Sequence, residues 1–141
     1  MQCDITDRNQ IQEKLIQRGS KAGDFDAIFH FAALVPYNHN RMYSEEELFQ
    51  CNVHATTELL RQAKAAGVKR LLYCSSTGVV FDGVHPLQEA DESVEIPTTW
   101  NDTYSKSKAF AEISVRDETT DEFQTLSIRP NGMYTNDIPK R

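Results

Sequence analysis

Strand-like apolar runs alternate with helical patterns along this chain, and that alternation constrains its fold more than any other feature. The runs lie at residues 27–33, 70–76 and 125–130. Amphipathic patterns of helical period lie between them, at residues 44–66 and 104–116. Because parallel strands need a crossover connection, which is usually a helix, this order predicts an α/β fold with a parallel sheet and flanking helices.

Local signals indicate where the first two helices begin. Residues 3–7 are typical of a strand end followed by a turn, in which Thr6 or Asp7 caps the first helix. Further along, Ser44 and Glu47 have the spacing of a capping box, in which each side chain binds the backbone N–H of the other residue. That box predicts the start of the long second helix.

The composition is that of one globular domain covering residues 1–141. The chain has 15 Lys and Arg against 21 Asp and Glu, for a formal net charge of −6, and 39% of its residues are hydrophobic. This acidic balance argues against binding to a nucleic-acid backbone, which requires a basic face. No stretch approaches the roughly 18 apolar residues of a membrane helix, and the start lacks the pattern of a secretory signal peptide.

The cysteines and histidines predict neither a disulfide framework nor a metal site. Cys3, Cys51 and Cys74 are odd in number and far apart, which is typical of free thiols in a cytoplasmic protein. The histidines share no metal-ligand spacing, so no metal is expected. Because Cys74 and His30 lie inside apolar runs, we interpret them as a core thiol and a core histidine with a hydrogen-bond partner.

Small and polar residues follow the predicted strands. The three runs end in Ala32 and Ala33, in Ser75 and Ser76, and in residues 130–132. In open α/β sheets ligands bind beyond the carboxyl ends of the strands, and small residues let a ligand approach the backbone closely. The sequence therefore predicts a binding site at this edge of the sheet.

Tyr104 and Lys108 lie four residues apart on the third long helical pattern, so they are neighbours on one helix face. A nearby ammonium favours the phenolate, so the pKa of Tyr104 is expected to fall from its ordinary value near ~10. Lys108 can also donate to a sugar hydroxyl of a bound cofactor, and Ser76 can orient a substrate hydroxyl. Spacing alone favours a solvated surface pair, but the Ser-Ser strand end and the surrounding βα order favour proton transfer.

Taken in order, these pieces resemble the extended short-chain dehydrogenase/reductase family over residues 3–135. The resemblance implies a partial Rossmann-like, NAD(P)-binding parallel sheet with flanking helices, and NAD or NADP as cofactor. The segments that carry it are Asp4-Ile5, His30-Phe31-Ala32-Ala33, Asn52, Tyr73-Cys74-Ser75-Ser76, Tyr104 with Lys108, and residues 129–134.

The same resemblance assigns residues to the site. It implies that Ser76, Tyr104 and Lys108 are catalytic. From the residues alone Asn52 is either an exposed helix residue or an inward one, and the resemblance favours an inward role in supporting the backbone. The residues implied to bind the cofactor are Asp4, Ile5, Phe31, Ala32, Ala33, Asn52, Ser75, Tyr104, Lys108 and Pro130.

Within that family, residues 75–83 and 91–93 are most similar to the 3β-hydroxysteroid dehydrogenase and sterol-4α-carboxylate 3-dehydrogenase branch. This implies oxidation of a secondary alcohol on a sterol-like substrate to a ketone. Nucleotide-sugar epimerases and dehydratases, which share the frame, are the alternative. They usually carry Val-Tyr-Gly where this chain has Val80, Phe81 and Asp82.

The sequence departs from the family at its start, because it contains no Gly-x-x-Gly-x-x-Gly turn; Gly19 and Gly23 lie at a helix end. The chain therefore resembles the middle of a dehydrogenase, an incomplete domain. A catalytically inert family member that acts only as a binding protein is a further hypothesis. An uncovered edge on the strand near residues 27–31 also predicts pairing with another chain or a homo-oligomer.

Overall fold

The structure is a computed structural model that describes residues 3–18, 25–36 and 42–133. Within these residues three parallel strands form one sheet, in the order β1-β2-β3. The strands are β1 (Ala27–His30), β2 (Arg70–Cys74) and β3 (Gln124–Ile128). The predicted α/β fold with a parallel sheet is confirmed.

Helices precede the sheet and connect its strands. In chain order they are α1 (Arg8–Arg18), α2 (Glu45–Phe49), a π-helical segment (Gln50–His54), α3 (Ala55–Ala65), a 3-10 turn (Thr77–Val80) and α4 (Thr103–Asp117). Helix α2, the π-helical segment and α3 follow one another without a break and form the long predicted helix. None of the described helices is long and apolar enough to cross a membrane.

The first helix begins where its cap was predicted, but no strand precedes it in the described residues. The Asp7 carboxylate accepts the backbone N–H of Asn9 at 2.9 Å, which caps α1. Before it, the Asp4 carboxylate accepts the backbone N–H and the hydroxyl of Thr6 at 2.9 and 2.8 Å. Such local bonds favour a turn over an extended strand. Of the strand end and turn predicted at residues 3–7, the described residues therefore contain the turn but no strand.

The capping box of the long helix is present as predicted. The Ser44 hydroxyl accepts the Glu47 backbone N–H at 3.2 Å, and the Glu47 carboxylate accepts the Ser44 backbone N–H at 2.9 Å. At the other end Gly67 follows the helix with a φ of 77°. That left-handed conformation suits glycine and ends the helix before β2.

The core lies between one face of the sheet and helices α1, α3 and α4. Ile11, Leu60 and Val115, one from each helix, form a buried cluster with Leu71 and Tyr73 of β2. None of the five is more than 3% exposed. The central strand is therefore the most deeply buried part of the sheet.

The opposite face of the sheet is open in the described structure. Phe29, Leu72 and Leu126 are register partners across the three strands and so share this face. Phe29 is 66% exposed and Leu126 is 60% exposed, and Phe31 just beyond β1 is 54% exposed. The continuous apolar run at residues 27–33 predicts a strand buried on both faces. That prediction is wrong, because described helices cover only one face and the strand ends at His30.

Candidate active site

Strands β2 and β3 remain paired beyond their ends. The backbone N–H of Ser75 donates to the Ile128 carbonyl at 2.8 Å, and that of Thr77 donates to the Pro130 carbonyl at 3.1 Å. This pairing fixes the backbone on both sides of Ser76. The hydroxyl residues predicted from the sequence therefore lie on a rigid carboxyl edge of the sheet.

The two serines at this edge differ in their surroundings. Ser76 is half-buried, and its hydroxyl accepts the backbone N–H of Gly78 at 3.2 Å, which caps the 3-10 turn. Ser75 is 3% exposed, and its hydroxyl has no hydrogen-bond partner among the described residues. A buried hydroxyl without a partner costs free energy, and this one lies at the strand end.

The first turn of α4 packs directly against the 3-10 turn. The Asp102 carboxylate accepts the backbone N–H of Ser105 at 2.7 Å and its hydroxyl at 2.9 Å, which caps the helix. A Cβ added to Gly78 would lie 2.5 Å from the Ser105 hydroxyl oxygen. This close approach places the start of α4, with Tyr104, beside the turn that follows Ser76.

Lys108 is buried at the end of β2. Its side chain donates from Nζ to the Cys74 carbonyl at 2.6 Å, and the same nitrogen lies 4.3 Å from the centroid of the Tyr73 ring. The residue is only 2% exposed. Burial lowers the pKa of Lys108 to about 8, although the nearby Cys74 acts in the opposite direction. The pair at 104 and 108 is therefore not a solvated surface pair.

Tyr104 is half-buried, and both it and Lys108 lie near Cys74, which acts on the pKa of each. Burial raises the pKa of Tyr104, and Cys74 and Asp102 raise it further. The predicted lowering of this pKa by Lys108 is wrong for this structure, because the ammonium is bound to the Cys74 carbonyl and burial dominates. The two side chains nevertheless lie on the same side of α4, as the spacing predicts.

Asn52 joins the loop after β1 to helix α4. Its Oδ1 accepts the Leu34 backbone N–H at 2.8 Å, and its Nδ2 donates to the Leu34 carbonyl at 3.1 Å and to the Ser107 hydroxyl at 3.0 Å. Ser107 in turn donates to the Tyr104 carbonyl at 2.7 Å. With Asn52 only 1% exposed, its inward, backbone-supporting role is confirmed.

The π-helical segment holds Asn52 in this position. Such segments insert an extra residue into a turn and are frequent at functional sites. The apolar pattern predicts a regular helix here and does not indicate the partners Leu34 and Ser107. Those bonds join residues 18 and 55 positions away from Asn52, so no local pattern in the sequence indicates them.

A cleft of about 550 Å³ lies beside the start of the π-helical segment. Asp4 and Leu34 line it together with Cys51 from the π-helical segment. Of the predicted cofactor-binding residues, Asp4 lies in this cleft, whereas the half-buried Ile5 is not among its lining residues.

The remaining predicted contacts lie at the strand ends. Phe31 and Ala32 are exposed in the loop after β1, and Ala33 is half-buried in the same loop. Pro130 is half-buried beyond β3. These residues lie on either side of Ser76 at the sheet edge, and none of them is the hydrogen-bond partner of Lys108.

His30 and Cys74 belong to the core, as predicted. His30 Nε2 lies 2.8 Å from the Thr56 hydroxyl, and the imidazole is 3% exposed. Burial, and then the charge of Lys108, lower the pKa of His30 to about 4. Cys74 is 5% exposed. The described residues contain no group of three potential metal ligands.

One ion pair fixes α4 to the end of β3. Arg129 donates from Nε and Nη2 to the same Glu112 oxygen at 2.9 and 2.6 Å. The Glu112 side chain is 7% exposed and that of Arg129 is 24% exposed. Sequence reasoning placed Arg129 only within a strand-end motif and did not identify its partner.

Curated dehydrogenases are similar in sequence to this chain. The chain is 38% identical over 112 residues to 3beta-hydroxysteroid-dehydrogenase/decarboxylase isoform 1 of Arabidopsis thaliana, covering 77% of this chain and 24% of that protein. It is 32% identical over 124 residues to the decarboxylating sterol-4-alpha-carboxylate 3-dehydrogenase of Schizosaccharomyces pombe, covering 82% of this chain and 35% of that protein. The chain thus spans about a quarter to a third of the length of these relatives.

The fold has solved counterparts. A short-chain dehydrogenase/reductase superfamily protein from Agrobacterium tumefaciens, crystallised with bound NAD, superposes with a TM-score of 0.71 at 22% identity. The superposition covers 89% of this chain and 35% of that protein. At this identity the likeness shows the fold alone, a Rossmann-like sheet.

The family match covers almost the whole sequence. The 3-beta hydroxysteroid dehydrogenase/isomerase family matches residues 1–139, which include Ser76, Tyr104 and Lys108. Together with the relatives and the Rossmann-like fold, this match shows that the chain belongs to the 3-beta hydroxysteroid dehydrogenase/isomerase family of extended short-chain dehydrogenases/reductases.

Proposed function

We propose that this chain carries the catalytic centre of an NAD(P)-dependent dehydrogenase that oxidises a secondary alcohol on a sterol-like substrate to a ketone. One observation carries the proposal: Ser76 at the end of β2 and Tyr104 and Lys108 on α4 are brought to one edge of the sheet. The sequence relatives, named as 3β-hydroxysteroid and sterol-4α-carboxylate 3-dehydrogenases, support the substrate class.

The described residues fit the ribose and nicotinamide end of a dinucleotide. Lys108 uses one hydrogen bond on Cys74, which leaves donors for a ribose hydroxyl, and the unpartnered Ser75 hydroxyl lies at the same strand end. The loop containing Phe31, Ala32 and Ala33 is tied to α4 through Asn52, so we assign that asparagine a supporting role.

The other end of the dinucleotide is assigned more coarsely. We assign Asp4, in the cleft beside Leu34, to the adenosine, together with Ile5 next to it in the chain and Pro130 beyond β3. The described residues contain no glycine-rich turn to hold the pyrophosphate. The cofactor is therefore given as NAD or NADP.

The chain's own residues would carry the proton. The Ser76 hydroxyl orients the substrate oxygen, and the Tyr104 phenolate removes the alcohol proton while the carbinol carbon loses hydride. When bound, the dinucleotide accepts that hydride. Because burial raises the pKa of Tyr104 and the Lys108 ammonium is bound to the Cys74 carbonyl in this structure, we propose that Lys108, one helical turn away, favours the phenolate only once substrate and dinucleotide are bound.

Binding of reduced dinucleotide is the first test. Trp100 donates from its indole N–H to the Val79 carbonyl at 2.9 Å, so the single tryptophan lies next to the 3-10 turn. We expect NADH or NADPH to quench its emission and to gain fluorescence by energy transfer. Failure of both to bind would favour the inert binding protein over the enzyme.

Turnover is the second test, with a 3β-hydroxysteroid as substrate. We expect Tyr104→Phe to lower kcat/KM at least about 100-fold while dinucleotide binding is retained. Lys108→Met should lose both turnover and dinucleotide binding. The matched control Lys106→Met should lose neither, because Lys106 forms a 2.8 Å ion pair with Glu45 and is not one of the site residues. Unchanged turnover in Tyr104→Phe contradicts the proposal, and turnover of a nucleotide sugar instead of the steroid would move the substrate assignment.

Cytoplasmic location and association through the sheet edge stay predictions. The first rests on the cysteine pattern, with Cys3 exposed, Cys51 half-buried and Cys74 buried as free thiols. The second rests on the open edge of β1.

A further inference from the structure

Tyr73 occupies an unusual position for a tyrosine. It lies in the middle of the buried cluster, is 1% exposed, and its ring is contacted by two other residues near the site. The Lys108 ammonium nitrogen lies 4.3 Å from the ring centroid, and the His30 ring lies 5.5 Å away at an interplanar angle of 38°. The tyrosine ring therefore contacts both the lysine of the site and the core histidine.

The hydroxyl of this tyrosine does not explain its presence. The oxygen is buried and has no hydrogen-bond partner among the described residues. Burial raises the pKa of Tyr73, so the phenol stays neutral and does not exchange protons with the site. What Tyr73 offers its neighbours is the face of its ring, which carries partial negative charge.

The Lys108 ammonium needs such a neighbour. Its hydrogen bond to the Cys74 carbonyl is short, but a buried ammonium loses its hydration and is costly unless several groups replace the water. A cation over an aromatic face within about 6 Å is attracted to the ring, and most strongly when both are removed from water. The distance of 4.3 Å satisfies this condition.

Other groups around the ammonium compensate less directly. Cys74 from β2, Cys51 from the π-helical segment and Glu112 from α4 each raise the pKa of Lys108. Glu112 already pairs with Arg129 beyond β3, and burial raises the pKa of the Cys51 thiol, which keeps that group neutral. His30 from β1 is uncharged at neutral pH, and the phenol of Tyr104, one turn earlier on α4, is neutral in this structure as well.

We propose that Tyr73 is a positioning residue for Lys108: its ring face and the Cys74 carbonyl together hold the ammonium at the end of β2, on the side of α4 that carries Tyr104. Tyr73 touches neither substrate nor cofactor in this proposal. Its relevance to turnover rests on the proposed function, but the contact with Lys108 does not.

The test follows the ammonium itself, by titrating the side chain of Lys108 in the full chain by NMR with isotope-labelled lysine. The signal is assigned by its absence in Lys108→Met. Tyr73→Phe keeps the ring, so the acid dissociation constant of Lys108 should stay within about twofold of its original value. Tyr73→Leu removes the ring face, and that constant should rise roughly tenfold.

A second variant covers the case in which Tyr73→Leu fails to fold. Replacing Tyr73 by a ring-fluorinated phenylalanine keeps the shape of the ring and weakens the negative charge of its face. The acid dissociation constant of Lys108 should then rise with the number of fluorines. Equal titration of Lys108 in the phenylalanine, leucine and fluorinated variants would overturn the proposal.

Failure of this proposal and failure of the proposed function give different results. If the ring positions Lys108 but the chain is no dehydrogenase, the titration changes as expected and no variant turns over a steroid. If the dehydrogenase assignment holds and the ring has no role, the pH profile of kcat is the same for Tyr73→Phe and Tyr73→Leu. A shifted profile in the leucine variant alone supports both.

Discussion

The two faces of the same sheet have opposite characters. On the covered face, Leu71 and Tyr73 are each 1% exposed and pack against helices, and the polar network around Lys108 begins where β2 ends. On the open face, Phe29 and Leu126 are more than half exposed. Parallel sheets are normally covered on both faces. In the described structure the covered face carries the site, whereas the other face leaves its apolar side chains exposed.

Truncating matched leucines on the two faces should give the largest difference. We expect Leu71→Ala to lower the free energy of unfolding by about 4 kcal/mol, because it leaves a cavity in the covered face. Leu126→Ala, at 60% exposure, should cost less than about 1 kcal/mol. Urea unfolding of both variants measures this, and similar losses would mean that the open face is covered in solution.

Removing Arg129 should have the next largest effect. Arg129→Met leaves the Glu112 carboxylate, 7% exposed, without its partner, and should cost about 3 kcal/mol. The control is Arg116→Met, whose partner Asp117 is 61% exposed and whose loss should cost under about 0.5 kcal/mol. A negligible cost for Arg129→Met would show that the end of β3 is looser than its contacts indicate.

Acid should destabilise the covered face through His30. Its pKa is about 4 in the folded chain and about 6.5 in the unfolded chain. Between these two values the unfolded state therefore binds a proton that the folded state does not bind. Stability should therefore fall as pH drops from about 6.5 to 4, by up to about 3 kcal/mol for this residue. His30→Gln should lose that part of the slope, and an unchanged slope would contradict the burial of the imidazole.

The open face gives the smallest effect on stability and a distinct effect on assembly. Phe29→Ser combined with Leu126→Ser should change the free energy of unfolding by only about 1 kcal/mol. If exposed apolar surface and the β1 edge drive association, the double variant should sediment as a smaller species at high concentration. Sedimentation of the unchanged chain as a stable monomer, with a sharp thermal transition, would remove the basis for this prediction.

Local signals in the sequence placed most of the elements. The Ser44–Glu47 box, the cap at Asp7 and the three strands were predicted because neighbouring residues determine them. The exposure of Phe29 was not, since a continuous apolar run predicts burial without indicating what covers each face.

The sequence predicted which residues belong to the candidate site, but not which hydrogen bonds they form. The spacing of Tyr104 and Lys108 placed both on one face of a helix, but the ammonium binds the carbonyl of Cys74, 34 residues earlier. A long buried side chain takes whichever acceptor the fold brings near, and the sequence does not encode that choice locally. The contacts of Asn52 and the ring of Tyr73 escaped sequence reasoning for the same reason.

The close approach of Gly78 to Ser105 limits how this chain can vary. The serine hydroxyl is held by Asp102, so it has little freedom to swing away from any side chain introduced at 78. Substitution at 78 thus becomes acceptable only in a background that has already lost the hydroxyl at 105. Positions 78 and 105 should therefore change together, and we expect homologues that carry alanine at one of them to carry alanine at the other.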